Sequence, residues 1–541
     1  MSKVPASRVH LYDTTLRDGM QGQGMSLSAT EKVRVVEALD RLGVQMIEAG
    51  FPDSNPKDLE LFELLASVPL EQATIAAFGM TRRRDREAAE DPGLAALVGC
   101  FAPVVTLVGK TWALHLEVVT KVSRDENLAM IADSVRFCAE SGKRVVYDPE
   151  HFFDGWRDDA GYAMACLDAA VDAGAENVTL CDTNGSSLPH EIEEGAAAVV
   201  AALEGRGASV GIHTHNDAEC GVANSIAAVR AGATLVQGTI NGYGERTGNA
   251  NLVSILPALQ LKLGYDCVPP DRLRLLTGTA HLIDEICNLA PDPSQPYVGR
   301  NAFAHKGGMH AAGVEADART FEHMDPRDVG NEREILISEL AGRGSVMSRA
   351  ARAGIELDED AVRRSIQQVK EREHRGYSYE AADASFELLL RREAGTYESL
   401  FRLESFRVIT EKRADGRVET EATIKLWVGD ERYTRTAEGN GPVNALDRAL
   451  RAAITEQHPE IAEVELTNFK VRILDEHHGT ASVTRVLLDS SDGAHDWSSI
   501  GVSENVIEAS WEALVDSLEY AFQPRAEGAA SAEPAGAVGD A

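Results

Sequence analysis

His213, Thr214 and His215 form the segment of this chain with the plainest capacity for chemistry. They follow a short apolar run, residues 208–212, that reads as a buried strand. Alternate residues of a strand face one side, so the two imidazoles project together from its carboxyl end. Neutral imidazoles at that spacing can share one divalent metal if a carboxylate from elsewhere completes the set. An isolated His-x-His is more often two polar residues of an ordinary loop. The decision therefore rests on the elements that would bring a third ligand to the same place.

Those elements are legible as a repeating pattern. Short apolar runs at 9–12, 44–49, 74–78, 98–107, 144–147, 177–180, 209–212 and 235–238 alternate with longer, helix-patterned stretches. Ser28-Ala29-Thr30-Glu31 is a capping box that opens a helix over 31–42, and Gly43 closes it. Eight strand-then-helix units before about residue 265 match the length of a TIM (β/α)8 barrel. A doubly wound open sheet is the alternative. It normally carries a glycine-rich turn after its first strand, which residues 13–19 lack.

In such a barrel, catalytic groups follow the strands at the carboxyl rim. After the first strand comes Arg17-Asp18, after the second Glu48, after the fifth Asp148-Pro149-Glu150-His151. Asp182-Thr183-Asn184 follow the sixth strand, and residues 242–249 follow the eighth. Asp18 can be the missing carboxylate, and Arg17 offers a fixed cation to an oxyanion. Taken singly, an Arg-Asp pair is ordinarily a surface ion pair. Polar groups that track strand ends this closely point to one shared site. Residues 242–249 lack the lysine and hydroxyl of a phosphate loop, and their glycines let the backbone turn tightly at the rim.

Residues 13–19, 48–52, 213–217 and 242–249 together resemble the Claisen-condensing acyltransferases, the family of α-isopropylmalate, homocitrate and citramalate synthases. That family falls within the barrel enzymes called DRE-TIM metallolyases. The resemblance continues through 300–313 and 329–333, which look most like the longer, citramalate-type branch, and covers the chain up to its C-terminal tail. Met20 departs from the pattern, standing where many isopropylmalate synthases have Glu. The resemblance implies joining of the acetyl-CoA methyl carbon to the ketone of a 2-oxo acid, then thioester hydrolysis. It implies a divalent metal (Mg, Mn or Zn) on Asp18, His213 and His215, with Asn249 as a further oxygen ligand. Arg17 would stabilise the alkoxide and Thr183 would hold the oxo-acid carboxylate. His310 would be the base with Glu150 as helper, and Glu48 and Glu245 would orient ligands and loops. His305 is read as capping a neighbouring segment, and Lys306 with nearby basic residues as meeting CoA phosphates.

Pyruvate, 2-oxoisovalerate and 2-oxoglutarate differ beyond the ketone, and an added methylene changes selectivity by about 1–3 kcal/mol. A pyruvate methyl calls for bulky walls, which Phe78, Tyr147 and Phe152 supply on or just after strands three and five. The branch-level resemblance also implies pyruvate, with 2-oxoisovalerate second.

The formal charge of -33 argues against nucleic acid or an anionic membrane as the main partner. Seven scattered cysteines without a CxxC pair read as reduced residues of a cytoplasmic protein. No window of about 18 apolar residues suggests a membrane span. The expected organisation is a barrel over 1–275, helical subdomains over 276–400 and a compact α+β unit over 401–523. That last unit reads as one β-β-α motif written twice, and 524–541 as a disordered tail. Its resemblance to the family's regulatory domain implies a homodimer inhibited by an end-product amino acid, isoleucine expected. The helix-opening loops 439–445 and 501–505 suit carboxylate or backbone contacts. A purely dimerising domain is one alternative, and a non-catalytic amino-acid-binding regulator is another. Retention of Arg17, Asp18, His213, His215 and His310 speaks against the regulator.

Overall fold

Eight parallel strands close on themselves in sequence order. They are β1 (His10–Asp13), β2 (Met46–Gly50), β3 (Thr74–Met80), β4 (Val104–Lys110), β5 (Arg144–Glu150), β6 (Asn177–Asp182), β7 (Ser209–Thr214) and β8 (Leu235–Gly238), with β8 returning to β1. The computed structural model describes residues 7–52, 56–306, 308–335, 343–379, 382–474 and 482–524. Each strand is covered inside by its opposite neighbours and outside by helices, so the strands read as near-continuous apolar runs. The helix Ala29–Leu42 begins at the capping box of Ser28 and Glu31 and ends at Gly43, whose φ of 98° is left-handed.

One expected strand is misplaced. Val98 and Gly99 end the helix Pro92–Gly99, and β4 runs on to Lys110. Pro92 at the start of that helix and the N-cap of Asp91 hold the short apolar run as helix.

The barrel interior is layered. Tyr12, Met46, Ala76, Val104, Val146 and Leu235 make an apolar layer. Strand alternation places Glu48, Thr106, Asp148 and Gln237 one step nearer the carboxyl ends, as a polar layer with no solvent exposure beyond 3%. Tyr12 Oη donates to Glu48 Oε2 at 2.7 Å and lies 2.6 Å from Thr106 Oγ1. Gln237 Nε2 donates to both Asp148 carboxylate oxygens at 3.1 and 3.2 Å.

The chain divides into two compact units, Met1–Phe303 with Asp325–Glu332, and Ala304–Met324 with Arg333–Ala541. The second unit holds a two-stranded pair, β9 (Ala304–His305) with β10 (Glu334–Ile335), and helices Arg343–Arg352, Glu359–His374 and Asp383–Ala394. Two antiparallel sheets follow. The first is β11 (Arg402–Lys412), β12 (Val418–Val428) and β13 (Glu431–Gly439), before the helix Pro442–Ile454. The second is β14 (Glu465–Ile473), β15 (Thr484–Ser491) and β16 (Asp496–Ser503), before the helix Val506–Phe522.

The repeated motif is therefore β-β-β-α, not the expected β-β-α. Its third strands carry little apolar signal: β13 alternates exposed Arg432, Thr434, Thr436 and Glu438 with Tyr433, Arg435 and Ala437, and β16 is rich in serine. The doubling itself holds. Residues 525–541 lie outside the described residues, and so does the reading of a disordered tail there. Among the described residues, no helix is long and apolar enough to cross a membrane.

Candidate active site

The site assembles where β1, β7 and β8 end. Asp18 follows β1, while His213 and His215 leave β7 on the same side, as strand alternation requires. Their ligand atoms all lie within 4.8 Å of one another. His213 Nε2 is 3.5 Å from Asp18 Oδ2 and 3.2 Å from His215 Nε2. Two imidazole nitrogens that close, next to a carboxylate, are a donor set that can hold a divalent metal.

Asn249 lies in the segment beside this cluster. An isolated bridge pairs it with His215, and its Nδ2 donates to the Tyr243 carbonyl at 3.0 Å. That bond turns Oδ1 the other way, where it is buried without a protein partner. Asp18 Oδ1 is orphaned in the same way. Two buried, unpartnered oxygen acceptors beside two neutral imidazoles fit a metal and have no other evident use. The turn that delivers Asn249 needs glycine: Gly248 has a φ of 95°, and a Cβ there would meet the Gly242 carbonyl oxygen at 2.0 Å.

The electrostatics agree with this donor set. Burial drives the His213 imidazole down to about 3, against the pull of Asp18. Burial also lowers His215. Both rings are neutral near pH 7, as ligands must be. Burial alone would raise the Asp18 carboxyl, but Arg17 and then the two histidines outweigh it and hold it well below the usual range.

Arg17 is fixed on three sides. Its Nε is 2.5 Å from Glu48 Oε1, its Nη1 is 3.1 Å from Asp18 Oδ2, and its guanidinium lies 3.8 Å from the Phe78 ring centroid. Glu48 sits in the polar layer with no exposure, so it orients Arg17 from below. Among the other groups at the rim, Glu150 is ion-paired with Lys110, its partner in strand register. Thr183 Oγ1 accepts from the His151 backbone N–H at 2.9 Å.

Several expected residues stand elsewhere. Tyr147 alternates outward between Val146 and Asp148, and its fully buried ring packs toward Cys166 of the helix Phe152–Asp172, so it does not line the barrel mouth. Phe152, also expected as a wall, stacks on Trp156 and meets Phe153 edge-on within the buried start of that helix. Glu245 is exposed at the rim, 3.6 Å from Arg246, and touches none of the candidate metal ligands. His310 belongs to the second compact unit, where its exposed ring stacks on Phe321 at 4.1 Å. His305, in the same unit, is 3.1 Å from Glu322, consistent with a structural role.

Three contributors escape the sequence reading. Lys110 is hidden because the fourth strand continues three residues past its apolar run. Gln237 pairs with Asp148 inside the barrel, and only the inward period of their strands could have joined them. Burial, then the charge of Glu48, pushes Asp148 well above the usual carboxylate range. Arg246 clasps both oxygens of Asp217 at 2.8 Å and donates to the Thr183 carbonyl at 2.8 Å, tying together the loops after β6, β7 and β8.

Residues 8–272 match the HMGL-like family, 297–376 the homocitrate synthase post-HMGL domain-like family, and 380–522 the LeuA allosteric (dimerisation) domain. An (R)-citramalate synthase of Streptomyces coelicolor is 50% identical, over 94% of this chain and 96% of its own length. One from Aquifex aeolicus is 47% identical, over 95% and 98%. A 2-isopropylmalate synthase of Acidimicrobium ferrooxidans is 32% identical, over 96% and 97%.

Proposed function

The chain belongs to the (R)-citramalate synthase family of acyltransferases, and from that premise we propose that it condenses pyruvate with acetyl-CoA to give citramalate and CoA. The observation that carries the chemistry is the cluster of Asp18, His213 and His215 beside Arg17, with the orphaned Asn249 oxygen in the segment bridged to His215 proposed as a further ligand. A divalent cation bound there supplies Lewis-acid polarisation of the ketone under attack.

The chain's own residues account for the rest. A base removes a proton from the acetyl methyl, and the new carbon–carbon bond forms at the ketone carbon. His310 is proposed as that base, with Glu150 adjusting the charge nearby through its ion pair with Lys110. The ketone oxygen gains negative charge as the bond forms, and Arg17, held rigidly by Glu48 and Phe78, is placed to stabilise it. Its fixed orientation matters because a preorganised donor loses no energy to reorientation during the step. Thr183 is proposed to hold the 2-oxo acid carboxylate. Water then cleaves the thioester, the acyl carbon keeps the oxygen, and CoA leaves as its thiol.

Bulk favours pyruvate over the branched acid. Phe78, under Arg17 and edge-on to Phe51 at 5.0 Å, is the large side chain at this mouth. The match of 380–522 to an allosteric dimerisation domain supports a homodimer whose doubled unit binds an inhibitory amino acid, with isoleucine proposed. Mass analysis of the product from pyruvate and acetyl-CoA tests the reading. Citramalate is expected, and its absence with a metal-loaded, folded enzyme rules the reading out. His213→Ala is expected to abolish both metal binding and product while leaving the fold intact.

A further inference from the structure

His151 follows Glu150, the last residue of β5, and takes no part in the chemistry above. Its backbone is left-handed, with φ 55° and ψ 37°, a conformation uncommon for a residue that carries a side chain. Contacts of the ring hold it there. Nδ1 is 3.0 Å from Asp154 Oδ2, in the first turn of the helix Phe152–Asp172. The ring meets that of His115 edge-on, with centroids 4.3 Å apart, and lies tilted against Trp112 at 5.8 Å. Asp154 is itself fixed, since Arg157 Nη2 donates to its Oδ1 at 2.8 Å and Asn184 Nδ2 to its Oδ2 at 3.0 Å. His151 is buried, so water competes little for these contacts.

The consequence falls on Thr183. The turned backbone aims the His151 N–H at Thr183, whose Oγ1 accepts it at 2.9 Å. The Thr183 carbonyl accepts from Arg246 Nη2 at 2.8 Å, so its main chain is anchored as well. A hydroxyl has one proton and two lone pairs. With the His151 N–H on one lone pair, the proton must point away from that N–H. It is donated to no group among the described residues. Thr183 is only half-buried, so a ligand can reach it. A carboxylate, which only accepts, is the complement of a hydroxyl fixed as a donor.

We propose that His151 is a positioning residue for the 2-oxo acid: its left-handed turn, anchored through Asp154, presets the Thr183 hydroxyl as a donor to the acid's carboxylate. The inference rests on the condensation reading above, in which Thr183 holds that carboxylate. Without the turn the hydroxyl is free to rotate, and ordering it when the acid binds costs affinity. The turn acts on the small acid alone, because the His151 N–H touches only Thr183.

Steady-state kinetics of the full-length, metal-loaded enzyme test this. His151→Val places a β-branched residue that resists the left-handed backbone and offers Asp154 no donor. It is expected to raise the KM for pyruvate about tenfold and leave the KM for acetyl-CoA unchanged. His151→Asn tolerates that backbone, keeps a donor for Asp154 and is expected to stay near the wild type. Asp154→Ala removes the anchor alone and is expected to raise the KM for pyruvate in the same direction. Thr183→Val separates positioning from general damage: it raises the KM for pyruvate, and His151→Val added to it raises that KM no further. Additive losses overturn the proposal and leave the condensation standing. So does an unchanged KM for pyruvate in His151→Val or, if that variant does not fold, in Asp154→Ala. A His151→Asn protein as impaired as His151→Val also overturns it, since the ring and not the turn then matters. An unchanged KM in Thr183→Val removes Thr183 as the carboxylate's holder, and the proposal with it. A wild type that makes no citramalate removes the condensation reading itself.

Discussion

The Arg17 guanidinium lies 3.8 Å from the centroid of the Phe78 ring while its Nε meets Glu48 Oε1 at 2.5 Å. Stack and ion pair together fix the plane of the guanidinium, which a lysine ammonium cannot reproduce. Arg17→Lys keeps the charge and loses the plane. Steady-state rates are expected to show kcat down about 100-fold, in the range for loss of one oxyanion donor. Near-normal kcat in this variant would show that charge alone is needed.

Phe78 has a second consequence, for selectivity. Phe78→Ala enlarges the mouth beside Arg17 and removes its stacking surface. The ratio of kcat/KM for 2-oxoisovalerate to that for pyruvate is expected to rise by about tenfold or more, corresponding to roughly 1–3 kcal/mol of pocket discrimination. Competing-substrate assays read the ratio directly, and a ratio that does not move removes Phe78 from the specificity wall.

Gln237 pairs in strand register with His213, and its Oε1 and the His213 Nδ1 are both buried without a partner. The Asp148 carboxyl holds the Gln237 amide from the other side. Gln237 is thus the group beside His213 able to keep the proton on Nδ1 and leave Nε2 as the ligand atom. Gln237→Leu preserves bulk and is expected to weaken divalent-metal binding about 10–100-fold, as read by calorimetry. Unchanged metal affinity in that variant would remove Gln237 from this role.

How much of the molecule the chain discloses in advance follows from how each signal is encoded. The barrel is visible because strands covered on both faces are apolar over most of their length, and the helix caps between them are local. His213 and His215 are visible because a strand's period turns them to one side, and Asp18 because it follows a strand at the same rim. Tyr147 is misassigned for the same reason: it is one residue off the inward period set by Val146 and Asp148, and one residue reverses the face. The third strand of each C-terminal repeat is invisible, since polar residues on the exposed face of β13 and serines and a glycine among the buried positions of β16 break the apolar run. The pairing of Gln237 with Asp148 needs the closed barrel, because nothing local links strand five to strand eight.

In the second unit, Glu519 is buried, and desolvation, opposed by Arg392, pushes its carboxyl up to about 7. A carboxyl with a raised folded-state pKa binds its proton more tightly when folded, so stability falls as pH rises from about 4.5 to 7. The loss amounts to on the order of 3 kcal/mol. Glu519→Gln is expected to flatten the pH dependence of unfolding over that window, measured by denaturant titration at about pH 5 and pH 8. An unaltered slope excludes Glu519 as its source.

The proposed amino-acid sensor carries a reciprocity requirement. If isoleucine weakens pyruvate binding by some factor, pyruvate must weaken isoleucine binding by the same factor. Calorimetric titration of isoleucine with and without pyruvate checks this, and isoleucine that does not bind at all excludes it as the effector.

The central claim is that this metal-ligand cluster serves the condensation of pyruvate with acetyl-CoA. Its most direct test is the initial rate of CoA release with pyruvate and with 2-oxoisovalerate, at one metal concentration and equal acetyl-CoA. A clearly higher kcat/KM for pyruvate is expected. Faster release with the branched acid would contradict it.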